Sequence, residues 1–267
     1  MNIGILGANG FLGRSLCAKY LNEKNNVFAF FHKNSSLIPR GCIKVSIHSV
    51  FKQKIDCLVV AIGGYNSTYQ QFLEQYLFLA DVIKKIGFNK IIFISSVEVY
   101  GKNENTISVD NCFNNPNTYG LSKIAQEFLI KSTENFIIIR PTYLFGTGMN
   151  ENSLLPIWIN KAKIEKEIIV YGDGKRKQDY LHIDDFSQLC WLTTINNISN
   201  NIVIAASGES ITNAELAIEI SQKFPDSIVK YKGEDKTNSY VFDVSGTQKL
   251  YDWSPKISIK DWLKKSI

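Results

Sequence analysis

Tyr119 and Lys123 stand four residues apart, a spacing that puts both side chains on one face of a helix. A phenol with a reference pKa of about 10 is a poor proton carrier near neutrality. A neighbouring ammonium favours the phenolate and brings it toward useful acid/base work. Upstream, Ser95 and Ser96 end the apolar run Lys90 to Ile94 and precede Val99-Tyr100-Gly101. A hydroxyl there can polarise an oxygen whose proton Tyr119 moves. Tyr-x-x-x-Lys alone is common by chance, so its meaning depends on what else the chain supplies.

The N-terminus supplies a glycine loop. Gly7-Ala8-Asn9-Gly10-Phe11-Leu12-Gly13 follows the apolar run Ile3 to Leu6 and opens an amphipathic stretch with Leu12, Leu16, Tyr20 and Leu21 on one side. This spacing permits a tight turn, close approach of backbone to a pyrophosphate, and close helix–strand packing. The free N–H groups of the helix N-terminus favour phosphate. A bound dinucleotide gives the Ser–Tyr–Lys set its chemistry, with hydride moving at C4 of a nicotinamide while Tyr119 moves the proton. NAD selectivity usually needs Asp or Glu about 20 residues beyond the loop. Here that stretch reads Phe30-Phe31-His32-Lys33-Asn34 and has no carboxylate. His32 and Lys33, with Arg14, could meet a 2′-phosphate while Phe31 packs on adenine. NADP(H) is therefore favoured, with NAD(H) the alternative.

These residues need a scaffold that alternates strand and helix. Ile3–Leu6, Val27–Phe31, Cys57–Ile62, Lys90–Ser95 and Phe136–Ile139 read as strands, and Phe72–Ile86 and Ser122–Ser132 as helices between them. Continuous apolar strands alternating with helices predict an α/β fold, a Rossmann-type doubly wound parallel sheet. After Pro141 the rhythm breaks into shorter elements, a helix near 186–194 and a final amphipathic stretch, Ile259 to Ile267. The expected division is a dinucleotide-binding domain over 1–145, with the 186–194 helix packing on it, and a smaller C-terminal substrate-binding lobe over 146–267.

The ordered set resembles the extended short-chain dehydrogenase/reductase family, in its branch of NAD-dependent epimerases, dehydratases and nucleotide-sugar reductases. The resemblance runs nearly end to end through Ser95–Gly101, Asn117–Lys123, Ile139-Arg140-Pro141, Leu144-Phe145-Gly146, Tyr171–Gly174, Asp179–Asp185 and Ser207-Gly208-Glu209. It implies Ser96 as catalytic hydroxyl, Tyr119 as acid/base and Lys123 as ribose anchor and pKa modulator. It also implies Ile62 and Gly63 against the cofactor, Pro141 and Tyr143 framing the nicotinamide, and a homodimer. Substrate contacts are expected from Ser96, Val97, Glu98, Tyr143, Tyr171, Arg176 and Gln178.

Three departures shape the substrate expectation. Dehydratases of the branch carry Asp-Glu where this chain has Val97-Glu98, so dehydration is not expected. Tyr143 stands where Asn often meets substrate phosphates, and Gln178 where Arg often does. Arg176 or Lys177 would have to compensate, and otherwise a simpler sugar or phosphate ester fits better.

Composition narrows the field. The chain has 267 residues, 45% of them apolar, and a net charge of +5 without a basic stripe; Lys175-Arg176-Lys177 is too short to argue for nucleic acid. Five scattered cysteines and three histidines give no metal pattern. No apolar run is long enough for a bilayer, and the chain opens directly on a strand, so a reduced, cytoplasmic enzyme without membrane partners is expected. Trp158, Trp191 and Trp253 read as packing residues, as do Phe128 and Leu129, and Asp184 and Asp185 as helix caps. The leading expectation is reduction of a keto-sugar, as a nucleotide-linked 4-keto-6-deoxy sugar. The alternatives are an NAD-dependent nucleotide-sugar epimerase and a non-catalytic dinucleotide sensor.

Overall fold

The computed structural model describes residues 1–31, 34–47, 49, 52–64, 68–103, 106–235 and 237–267. His32 and Lys33 lie outside the described residues.

Seven parallel strands form the large sheet: β1 (Asn2–Leu6), β2 (Asn26–Phe31), β3 (Ile43–Ser46), β4 (Ile55–Val60), β5 (Phe88–Ile94), β6 (Phe136–Pro141) and, after a long excursion, β10 (Asn201–Ala205). Three strands of other sheets intervene between β6 and β10 along the chain, and the order in the large sheet is β10-β6-β5-β4-β1-β2-β3. Ile5 of β1 pairs with Ala29 of β2 on one side and Val59 of β4 on the other. The strands are apolar at nearly every position because both faces are covered. Alternate residues feed two cores, with Cys57, Val59, Ile92, Ile94, Ile137 and Ile139 in one. Leu58, Val60, Ile91, Phe93, Phe136 and Ile138 enter the other, as the strand period of two requires.

The first face is covered by α1 (Phe11–Asn22) and α5 (Ile183–Ile195). Ser15 and Ser187 hydroxyls meet at 2.9 Å, and Tyr20 reaches the Thr194 hydroxyl at 2.7 Å. The second is covered by α2 (Tyr69–Lys85) and α3 (Thr118–Lys131). Thr68 and Gln71 start α2 with a reciprocal capping box. Phe128 does not bury against the sheet; it is 66% exposed on α3, while Leu129 packs on the second core.

The remaining elements build the lobe. β7 (Tyr143–Phe145), β9 (Lys177–His182) and β11 (Ser210–Thr212) form a three-stranded sheet in the order β11-β9-β7. β8 (Glu167–Tyr171) pairs in parallel with β12 (Ile228–Lys232). Around them pack α4 (Leu154–Ile164), α6 (Asn213–Ser221) and α8 (Ile259–Ser266), joined by a core of Leu155, Trp158, Val170, Leu216 and Leu263. The remaining helix, α7 (Ser245–Tyr251), precedes Trp253. Lobe and sheet are stitched by Asp185, whose carboxylate accepts from Lys256 N and Ile257 N, both at 2.9 Å. That corrects its expected role as a cap, since α5 is capped by His182, whose Nδ1 accepts from Asp184 N. Among the described residues no helix is long and apolar enough to cross a membrane.

Candidate active site

A cleft of about 1150 Å³ opens at the C-terminal ends of β1, β2 and β4, lined by Gly7, Asn9, Gly10, Phe31, Ile62 and Gly63 among others. The C-terminal edge of a doubly wound sheet is where such folds take ligands. Gly10, in the lining of the cleft, is the N-cap of α1 and offers no side-chain cap to the first N–H groups of the helix. A Cβ on Gly13 would run into the backbone of Gly7 and Ala8; glycine there lets α1 sit hard against the turn. Phe11 and Leu12 pack against the core beneath. These features fit a dinucleotide pyrophosphate at the helix N-terminus.

Arg14 is not brought beside Phe31. Its Nη2 donates to Gly148 O at 3.2 Å, and it lines a separate cavity of about 420 Å³ with Phe11, Thr147 and His182. The carbonyl it meets belongs to the loop after β7 (Tyr143–Phe145).

Lys123 is the most constrained group of the site. Its side chain is buried and Nζ donates to Ile62 O at 2.8 Å and Ile94 O at 3.0 Å, bridging the ends of β4 and β5. Burial lowers its pKa to about 7, against an opposing pull from Glu127 one turn later. Gly63, at φ +135°, passes directly over it, and a Cβ there would lie 3.1 Å from Nζ. Tyr119, half-buried at the start of α3, has its ring centroid 5.8 Å from the same nitrogen and 6.2 Å from the Phe72 ring. Asn117 caps this helix, Oδ1 accepting from Gly120 N at 2.8 Å.

The two serines part company. Ser95 Oγ donates to Glu127 at 2.5 Å and is locked into a buried network with Arg140 and Tyr100. Ser96 begins the 3-10 turn Val97–Tyr100, and its Oγ accepts from Glu98 N at 3.2 Å. A hydroxyl that accepts one bond keeps its proton to donate elsewhere.

Within that turn the side chains diverge. Val97 is 2% exposed and sits in an apolar cluster with Val99, Ile204 and Phe242, against which Tyr143 packs. Glu98 turns the other way. It accepts from Asn117 Nδ2 at 2.8 Å and Tyr143 OH at 3.3 Å. Burial raises its pKa, while Tyr143, Asn117, Arg176 and Tyr240 pull it down. Pro141 ends β6 buried, beside Ala205 of β10.

Arg176 reaches toward this cluster, anchored by Asp235 at 3.5 Å and by donation to Asn238 O at 3.1 Å. Gln178 is buried between Arg176 and Tyr180; with its amide oxygen toward the guanidinium it accepts from Nε and donates to the Tyr180 hydroxyl, both at 3.0 Å. Gln178 thus holds Arg176, and Arg176 carries the charge beside Glu98. Lys177 is exposed. Tyr171 is 58% exposed at the end of β8, paired with Lys232 of β12, and is not gathered with Ser96 and Tyr119.

Asp179 was not singled out from the sequence. It accepts from Ser207 N, Ser207 Oγ and Gly208 N at 2.8–2.9 Å, and burial pushes its pKa up to about 6. It fixes the loop after β10 against β9. The signal available was its place beside Gln178; its three donors come from distant chain.

The Escherichia coli dTDP-4-dehydro-6-deoxyglucose reductase is 28% identical over 193 residues, covering 68% of this chain and 61% of the reductase. The chain therefore matches about three fifths of that enzyme's length. GDP-L-fucose synthase 1 of Arabidopsis thaliana is 26% identical over 305 residues, covering 99% of this chain and 91% of the synthase. The structure of UDP-glucuronic acid 4-epimerase from Bacillus cereus, in complex with UDP-glucuronic acid and NAD, shares the fold with a TM-score of 0.83 at 20% identity, over 99% of this chain and 97% of that one. Residues 3–205, which hold the glycine loop, Ser96, Tyr119, Lys123 and all of the seven-stranded sheet but Asn2, match the NAD dependent epimerase/dehydratase family. The chain belongs to that family.

Proposed function

We propose that this protein is a reductase that uses NADPH to reduce the keto group of a nucleotide-linked 4-keto-6-deoxy sugar. The observation that carries the reading is Tyr119 over Lys123 on one face of α3, with the Lys123 amine pinned to Ile62 O and Ile94 O at the cofactor cleft. When bound in that cleft, the reduced nicotinamide supplies the hydride. The protein's part is the proton. Tyr119 donates it to the substrate oxygen as negative charge develops there, and Ser96 donates a hydrogen bond to the same atom. The Lys123 ammonium stabilises the phenolate left behind. With an amine pKa near 7, Lys123 holds its charge lightly and is matched to proton traffic at neutral pH.

Three further points support this reading. Val97 stands where the dehydrating members of the branch have a carboxylate, and it faces core. The end of β2 carries no Asp or Glu, which disfavours the tightly held NAD an epimerase needs and favours net reduction with NADPH. Arg176, held by Gln178 and Asp235, supplies a cation for substrate phosphate in place of the missing Arg.

The test is Tyr119→Phe. Turnover should fall by at least about 100-fold, the range lost with a general acid, while NADPH titration shows unchanged binding. Activity retained in the variant contradicts the proposal. Tightly retained NAD in the purified protein, or a preference for NADH, moves the assignment to an epimerase.

A further inference from the structure

Glu98 occupies a junction. It is 8% exposed, in the turn that begins at Ser96. Its Oε2 accepts from Asn117 Nδ2 at 2.8 Å, and the same Asn117 uses Oδ1 to cap α3 at Gly120 N. Tyr119 is the second residue of that helix. Its Oε1 accepts from the hydroxyl of Tyr143 at 3.3 Å, and Tyr143 opens β7, which pairs with β9 of the lobe. One carboxyl group thus joins three elements: the turn bearing Ser96, the cap of the helix bearing Tyr119, and the strand that leads into the lobe. Both its oxygens are engaged by the protein itself.

We infer that Glu98 is a positioning residue for Tyr119, setting the cap of α3 through Asn117 and registering it against Tyr143, and that it does not contact the substrate. The inference rests on reading Tyr119 as the proton donor. The groups facing Glu98 are the phenols of Tyr143 and Tyr240, the Asn117 amide and the Arg176 guanidinium. Arg176 acts on it through charge, so the hydrogen bonds that fix its geometry come from neutral donors, a suitable design for holding a place. An amide in place of the carboxyl can keep both links: its oxygen accepts from Asn117, and its nitrogen donates to a Tyr143 hydroxyl that turns to accept.

The experiment labels the full chain with 3-fluorotyrosine and follows the ¹⁹F resonance of Tyr119, assigned among the 12 tyrosines by its loss in Tyr119→Phe. Kinetics with NADPH and a 4-keto-6-deoxy nucleotide sugar run in parallel. Glu98→Ala should move the Tyr119 resonance and lower kcat about tenfold, the scale of a small misplacement, with KM nearly unchanged. Glu98→Gln should restore both resonance and kcat. Tyr143→Phe, which breaks one link and leaves Glu98 in place, should move the resonance less. A Tyr119 resonance unmoved by Glu98→Ala overturns the inference, and so does Glu98→Gln behaving like Glu98→Ala, which would make charge the cause. If the wild-type chain reduces no such sugar, the functional reading fails, and the resonance alone still decides the role of Glu98.

Discussion

Glu127 and Glu98 are both buried carboxylates, and they flank the same strand end, yet they are built into the molecule differently. Glu127 receives Arg140 through Nε at 2.9 Å and Nη2 at 2.7 Å, and Ser95 at 2.5 Å. Arg140 goes on to Tyr100 OH at 2.9 Å. Every strong polar group there meets an opposite charge or a hydrogen-bond partner, below the level of the site. Glu98, one short turn away, is hydrogen-bonded by an amide and a phenol, with burial raising its pKa. The first arrangement fixes where β5, β6 and α3 lie relative to one another. The second fixes where the reacting side chains lie on that frame. Satisfied buried charge belongs to scaffold, and a carboxyl left to neutral hydrogen-bond donors in the turn that bears Ser96 belongs to the site.

The comparison can be broken by deletion. Glu127→Ala leaves the Arg140 guanidinium buried without its carboxylate and should cost about 3–5 kcal/mol in urea unfolding. Glu98→Ala leaves neutral hydrogen-bond donors unmet while Arg176 keeps its pair with Asp235, and should cost about 1–2 kcal/mol. Equal losses would erase the distinction.

Lys123 sharpens it, because its burial is itself a cost to the fold. The amine has a pKa of about 7 when folded against 10.5 unfolded. Below about pH 7 it is charged in both states and the full cost of burying the charge is present. Between about 7 and 10.5 the unfolded chain binds the extra proton, so stability contributed at this position rises with pH. Lys123→Met removes that dependence. Relative to the variant, the wild-type protein without cofactor should gain up to about 1.4 kcal/mol per pH unit through this window. Unfolding curves at pH 6.5, 8 and 9.5 measure it, and parallel pH profiles would refute it.

Much of the frame was legible because it rests on local pattern. The glycine loop between strand and helix, the apolar strands of the first half, and Tyr119 with Lys123 one helical turn apart are all set by spacing along the chain. β3 was not read, since Ile43–Ser46 is short and half polar, with only intermediate burial at Val45 and Ser46. Neither was β10, whose place in the large sheet beside β6 depends on a return after the lobe has begun. Within the site, Val97 and Glu98 looked alike as neighbours of Ser96, but the tight turn sends one to the core and the other to Asn117 and Tyr143. The Arg176–Gln178 exchange was visible as a missing Arg, and its resolution needed the contact between them. Arg14 was grouped with the end of β2 by its position at the helix start, and its side chain runs instead to Gly148. What spacing does not encode is the direction a side chain takes once distant strands set its surroundings.

The central claim is that Tyr119 protonates a sugar oxygen in a net reduction, and the most direct measurement follows the hydride. The purified protein would be incubated with a nucleotide-linked 4-keto-6-deoxy sugar and NADPH deuterated at C4 of the nicotinamide, on each face in turn, and the product examined by mass spectrometry and NMR. The account predicts deuterium at the former carbonyl carbon from one face only, with one NADPH consumed per product and none of either in Tyr119→Phe. A product formed without consumption of NADPH, or carrying no deuterium from either face, would contradict it.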